Sequence, residues 1–371
     1  MNRRERVLKA IDHQETDFVP YNFHAVPSVW QKVCRHYGLE DEQEAIAFVG
    51  NHIVKIGSDF NYDPAATEVE ESKLAVNGGP VYIGVDGKGE LHQDEFGCVW
   101  DRTGGMPHPV AYPLAETPDL DGYAFPDPYR TGRFDEAREL IERYRGEVFL
   151  FGKLGMCLFE RAWSIRGMTQ LLLDMVERPQ FVEELLDRIL YEWNLPIIDQ
   201  QLALGVDGFY FGDDWGAKTA LIFSPKMWRR FIKPRLAIMY GRCQQAGAIV
   251  GQHSDGAVGE LLPELIEIGL QVFNPLSPSI MDPPTYKKEY GDQLTFYGGI
   301  DVERTLSFGT AEDVRHEMRQ MASTMGRDGG YILQSSHTML EDVPMENIVA
   351  YVEEVRGMAE AGKRAGDRLS R

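Results

Sequence analysis

His253 and Asp255 stand two apart in the run Gln252-His253-Ser254-Asp255-Gly256. In an extended backbone, residues i and i+2 share a face, so both side chains can reach one point. Such a pair can supply two metal ligands, or a base with the carboxylate that orients it. His337, in Ser335-Ser336-His337, adds a second imidazole. With His253 and Asp255 it makes a two-histidine, one-carboxylate metal set with open positions. A plainer reading has His253 closing a turn and Asp255 capping the helix that starts near Ala257. Asp213 and Asp214 are adjacent carboxylates, and such a pair can couple so that one keeps its proton. They could equally cap the helix after Ser224 and pair with Lys218. Neighbours in a strand point opposite ways, so at most one of the two should face a substrate. Glu160, in CLFERAW, is a third acid, with a surface pair to Arg161 or Arg166 as its alternative. The candidate catalytic set is therefore Asp213, Asp214, Glu160 and His253. Candidate substrate contacts are Asn22, His24, Trp163, Tyr210, Trp215 and Asn274. The aromatic members suit a flat or apolar ligand, though core packing also explains aromatic side chains. Cys157 reads as an inert buried thiol.

These residues fall where strands should end. Short β-branched or aromatic runs alternate with helical stretches, the signature of parallel βα units. Eight strands are expected, at 18–23, 59–62, 148–152, 208–211, 249–253, 271–274, 294–298 and 330–334. Ser224-Pro225 and Asp282-Pro283 each place a capping side chain before a proline at the first helical position. This pattern fits an α/β fold, a (β/α)8 TIM barrel of roughly 250–300 residues with an extra segment. An open doubly wound sheet is the rival, and it lacks a GxGxxG turn after the first strand. Residues 65–146 break the rhythm with Gly78-Gly79-Pro80, Asp86-Gly87 and Gly104-Gly105. They read as a β-hairpin-rich insertion between the second and third strands of one barrel domain spanning 1–371. Residues 353–371 read as a solvated helix or frayed tail. In such barrels chemistry sits at the C-terminal strand ends, where the His, Asp and Glu residues above cluster.

The 371 residues carry 38 Lys+Arg against 58 Asp+Glu, a formal net charge of −20. That excess argues against nucleic-acid binding, which needs a basic face to neutralise phosphates. No run of 18 or more apolar residues suggests a membrane span. The start, MNRRERVLKAIDH, lacks an apolar stretch and a small-residue cleavage site, so a cytoplasmic location is expected. Cys34, Cys98, Cys157 and Cys243 are too scattered for a disulfide framework or a zinc ribbon.

Six pieces, in order, resemble the uroporphyrinogen decarboxylase superfamily. They are RRERVLKAIDHQETDFVPYNF, GKLGMCLFERAWSIRGMTQLLLDMVERPQFVEELLDRI, GDDWGAKTALIFSPKMWRRFIKPRL, HSDGAVGELLPELIEIGLQVFNPL, DPPTYKKEYGDQLTFYGGID and YILQSSHTMLEDVPMENI. The resemblance implies a (β/α)8 barrel. It also implies either a decarboxylase or a cobalamin-dependent methyltransferase that demethylates small compounds. The decarboxylase branch has an arginine-rich motif near its start, whereas this chain reads YNFHAVPSVWQKV there, with no arginine before Arg35. An acidic chain without those cations is a poor receptor for a polycarboxylate. The coenzyme M methyltransferases of the superfamily hold zinc with an H-x-C pair and a later cysteine. At those positions this chain has His253, Asp255 and His337. Replacing thiolates with these ligands implies a harder, more Lewis-acidic zinc centre suited to an oxygen-bearing substrate. The chain has no D-x-H-x-x-G corrinoid motif, so cobalamin would arrive on a separate corrinoid protein. The resemblance thus implies a small-molecule substrate, a corrinoid-protein partner and a cobalamin-linked O-demethylase role, with a homodimer as an open assembly state. A decarboxylase of a cyclic carboxylate and a non-catalytic small-molecule receptor are the alternatives.

Overall fold

The computed structural model describes residues 1–57, 91–101 and 107–369. Its strands are β1 (Ile53–Gly57), β2 (Leu91–Gln93), β3 (Val99–Asp101), β4 (His108–Ala111), β5 (Phe149–Leu154), β6 (Gly208–Gly212), β7 (Ile249–His253), β8 (Val272–Leu276), β9 (Thr295–Ile300) and β10 (Tyr331–Ser335). Seven of them form one parallel, curled sheet in the order β1-β5-β6-β7-β8-β9-β10. Residues 20–25 join its two edges. Tyr21 bridges Leu333 in parallel and Ala25 bridges Met339, while the His52 amide donates to the Tyr21 carbonyl at 3.1 Å. The architecture is α/β and TIM-barrel-like.

Two strand expectations shift. The first, at 18–23, is realised as isolated bridges, since Pro20 has no N–H to give a ladder. The second, at 59–62, lies outside the described residues; β1, just before it, pairs with β5.

Alternation within the strands sorts the side chains into two layers, because successive residues point to opposite faces. In β6, Tyr210 turns inward while Phe209 and Phe211 pack outward. Phe149 and Phe151 of β5, Ile53, Val272, Tyr297 and Ile332 join Tyr210 in the inner cluster. Val7 and Ile11 of the helix Arg3–Ile11 complete it, so that helix stops the N-terminal end of the cylinder. Glycine makes room for an inner ring: a Cβ on Gly208 would lie 2.8 Å from Phe151, and one on Gly251 only 3.3 Å away. Each fully buried side chain of this size contributes roughly 1.5–3 kcal/mol by leaving water.

Between β1 and β5, strands β2, β3 and β4 form a separate three-stranded antiparallel sheet. Asp94 ties it down: its carboxylate accepts from the Phe96 and Cys98 amides, from Trp100 Nε1 at 3.0 Å and from Arg161 Nη1 at 3.2 Å. Arg161 lies on the helix Phe159–Arg166 that follows β5. Arg161 thus serves Asp94, and Arg166 serves Asp174 at 2.7 Å, not Glu160. At the C-terminal end, Met345–Leu369 is a helix whose first half is buried through Ile348, Tyr351, Val352 and Val355. Among the described residues no helix is long and apolar enough to cross a membrane.

Candidate active site

Asn274 sits in β8 where the register with β9 shifts, between Phe273 and Leu276. Its Nδ2 donates to the Tyr297 carbonyl at 2.8 Å, which settles the orientation of the amide. Its Oδ1 therefore faces the Tyr210 hydroxyl and, at 2.6 Å, His253 Nδ1. Two donors must meet that oxygen, so Nδ1 of His253 carries the proton. Nε2 is then left pointing at Asp214 Oδ1 and Asp255 Oδ1, each 3.8 Å away. These separations are too long for hydrogen bonds.

The two carboxylates belong to loops that are locked together. The Asp255 amide donates to Asp214 Oδ1 at 2.8 Å, and the Ala257 amide to the Ala217 carbonyl at 2.9 Å. Gly256 lies at φ +84°, and a Cβ there would come 2.3 Å from the Gly216 carbonyl carbon. Only glycine permits that backbone contact. On its other side, Asp255 accepts from His337 Nε2 at 3.2 Å. The rings of His253 and His337 lie 6.4 Å apart.

Burial and crowding set the charges. Burial raises the Asp255 carboxyl, but the His337 hydrogen bond and the nearby imidazoles outweigh it and leave this group below the usual range. The same contact raises His337. Burial pushes Asp214 up. Glu160 is pushed well up, first by burial and then by the charges of Asp214 and Asp213. Asp213 is raised to about 6 by burial, against the pull of its own hydrogen bonds. Those bonds come from the amides of Leu158, Phe159 and Glu160 and from Trp215 Nε1 at 2.7 Å.

The other side of the mouth is cationic. Lys55 of β1 stands 3.8 Å from the ring centre of Tyr210 and 5.4 Å from that of Tyr297. Burial, and then Lys153, lower its ammonium to about 7. His24 is held well below its usual value by burial, with Lys55, Lys153, His337 and His253 around it. Beyond the strand ends lies a cavity of about 530 Å³, lined by Asp255, Ser336, His337, Lys218, Glu303 and Asp342 among others.

The structure brings Asp214, His253, Asp255 and His337 together, with Glu160 and His24 facing the same space. The close ligand group differs from the expected one. Donor atoms of Asp214, His253 and Asp255 all lie within 4.8 Å of one another, while His337 hydrogen-bonds the second oxygen of Asp255. Several expectations need correction. Asp213 is fully buried and its oxygens are occupied by four N–H donors, so it anchors the turn after β5 and does not face a substrate. Trp215 is likewise fully buried. Lys218 pairs with Glu303 at 3.2 Å, leaving the aspartates alone. Asn22 is buried against Gln334, and Asn274 and Tyr210 act through the hydrogen bonds to and near His253. Trp163 is half-buried, its ring 6.4 Å from that of Trp100. Cys157 is buried, its thiol donating to the Gly212 carbonyl. Lys55 was the residue missed. The run His52-Ile53-Val54-Lys55-Ile56-Gly57 does carry a signal, a strand whose inward positions alternate apolar and cationic.

Comparison with known proteins agrees with this architecture. A curated uroporphyrinogen decarboxylase from Psychromonas ingrahamii is 22% identical over 259 residues, covering 67% of this chain and 70% of that protein. One from Methylococcus capsulatus is 24% identical over 194 residues, covering 51% of this chain and 52% of that protein. A solved structure described as a methyltransferase from Methanosarcina mazei superposes with a TM-score of 0.66 at 16% identity, over 97% of this chain and 99% of that one. The family model described as Uroporphyrinogen decarboxylase (URO-D) matches residues 94–358, well over half of the sequence, and the chain belongs to that family.

Proposed function

We propose that this chain is a methyltransferase that takes a methyl group from a small O-methyl compound and passes it to a corrinoid held by a separate protein. The observation that carries the reading is His253, whose Nδ1 is engaged by Asn274 while Nε2 faces two carboxylate oxygens across 3.8 Å gaps. One nitrogen lone pair and two anionic oxygens converging without a proton between them suit a divalent cation such as zinc. Asp214, His253 and Asp255 would hold it. When bound, it would supply Lewis-acid polarisation of an ether oxygen. The corrinoid would supply the methyl acceptor.

The protein's own groups do the rest. Glu160, whose proton affinity is raised by burial and by Asp214, would be the acid that protonates the oxygen as the O–CH3 bond breaks. His337 holds Asp255 in place and in its charged form. The four cysteines are unpaired, which suits a reducing cytoplasmic setting.

Decarboxylation is the second reading, favoured by the names of the curated relatives. The cavity beside His337 disfavours a substrate with many carboxylates, since among its described lining residues Lys218 is the one Lys or Arg, against Asp255, Glu303 and Asp342. The two readings separate in one assay. Purified protein is given zinc, reduced free cobalamin and a panel of methoxy compounds, and both the cobalamin spectrum and evolved carbon dioxide are followed. Methyl transfer without gas is expected; carbon dioxide release from a cyclic carboxylate with no cobalamin change would overturn the proposal.

A further inference from the structure

The mouth of the barrel separates its charges. Glu160, Asp214 and Asp255 stand at the ends of β5, β6 and β7, whereas Lys55 and Lys153 rise from β1 and β5, with His24 beside them. The acidic side is partly partnered, through His337 and the Asp255 amide. The cationic side is not. Among the described residues no carboxylate lies in ion-pair range of Lys55 or Lys153, and Lys55 has only the faces of two tyrosines as company. Its inward neighbours along the barrel are apolar: Ile53 on its own strand and Phe151 on the next.

An ammonium is costly to hold in such surroundings unless an anion joins it. Tyrosine faces contribute about 0.5–2 kcal/mol toward a cation, and Lys55 is half-buried, so an anion entering from the mouth can reach it. This inward position could have held another aliphatic side chain, as positions 53 and 332 do. A lysine there makes sense when something negative enters from the mouth.

We infer that the substrate carries a carboxylate, which docks on Lys55 and Lys153 while its methyl-bearing oxygen reaches the Asp214–His253–Asp255 side. This rests on the methyl-transfer reading for the second half of the statement only; the anion subsite stands or falls separately. Tyr210 sets the span. Its ring centre is 3.8 Å from Lys55 Nζ and 6.2 Å from the centre of the His253 ring. Lys55 Nζ and the His253 ring centre are therefore no more than about 10 Å apart, within reach of a molecule whose two functional ends are separated by one six-membered ring. The lowered ammonium of Lys55 agrees, because an incoming anion would restore its charge.

The test uses the full chain and matched probes: 4-methoxybenzoate against 4-methoxybenzamide, and methoxyacetate against methoxyacetamide, with affinities measured by calorimetry. At least one carboxylate is expected to bind tenfold or more tighter than its amide. Lys55→Met is expected to erase that preference, and Lys55→Arg to keep most of it. The amide affinities and the far-ultraviolet circular dichroism serve as the folding control. If no carboxylate in the panel outbinds its amide in the unaltered protein, or if Lys55→Met leaves the preference intact, the inference is wrong. A carboxylate preference that depends on Lys55, without methyl transfer to cobalamin from any member, would retain the subsite and remove the methyltransferase reading instead.

Discussion

The two ends of the barrel each set a histidine among charges, one buried and one half-buried, and they treat it differently. At the N-terminal end, His52 Nε2 lies 2.9 Å from Arg6 Nη1, and Arg6 donates two hydrogen bonds to Asp17 at 2.7 and 2.9 Å. Burial, and then the cations Arg6 and Arg3, keep His52 far below its usual pKa, so its Nε2 is a neutral acceptor from an Arg6 already paired with Asp17. At the C-terminal end, His253 is gripped on one nitrogen only, and the other looks onto two carboxylates it does not bond. Charge that is locally matched stabilises a fold. Charge held in place but left unmatched is available to a ligand.

That contrast can be broken most severely by exchanging which end is damaged. His253→Ala is expected to lower methyl transfer by about a thousandfold, within the range for a lost catalytic group, while the melting temperature moves little. Arg6→Met should do the opposite. It strands Asp17 and His52, costing about 2 kcal/mol of stability once partial exposure of Asp17 is allowed for, with turnover per folded molecule preserved. Parallel activity and denaturant-unfolding measurements on both variants decide the matter, and equal losses of activity would dissolve the distinction between the two ends.

A smaller effect sharpens the comparison by releasing the grip on His253. Asn274→Leu leaves every proposed ligand in place but frees the imidazole to turn. Zinc affinity, read by competition with a chromophoric chelator, is expected to fall 10- to 100-fold, the usual cost of losing an orienting partner. An unchanged affinity would show that Asn274 only fills space.

The smallest signal is the pH dependence of stability. Asp213 is raised to about 6 in the folded chain, so the native form keeps a proton that the unfolded chain releases near pH 4. Its contribution is full below the unfolded value and is lost as pH rises toward about 6. Asp255 and Asp17, both lowered, work the other way and lose their contributions as the medium becomes more acid. Unfolding midpoints from pH 3 to pH 7 should therefore pass through a maximum near pH 4 to 5 if these groups dominate, and Asp213→Asn should flatten the limb above it.

Much of this site was legible in the sequence because barrel chemistry follows strand ends, and strand ends are punctuated. His253 and Asp255 lie just beyond the short apolar run 248–251 and before Gly256, and His337 follows the short apolar run 331–333. What could not be read was which member of an adjacent pair turns inward. Asp213 and Asp214 differ in role because the turn after β5 offers three amides to one of them, a tertiary fact. Trp215 looked like a rim aromatic and is instead a donor to Asp213 beneath the rim. Lys55 is absent from the expected site residues because it lies in β1, ahead of the strand expected at 59–62, which falls outside the described residues. The first strand was placed correctly but its regularity was overestimated, since Pro20 removes an amide from the ladder.

The abutting glycines 216 and 256 carry a final implication. With no side chains between them, the peptide planes of two successive loops rest on each other, so a push on either carboxylate is transmitted to its neighbour. The two acids then behave as one jaw closing on an imidazole anvil. A larger residue at position 256 would wedge the jaw open and change the bite without touching any group that meets a ligand.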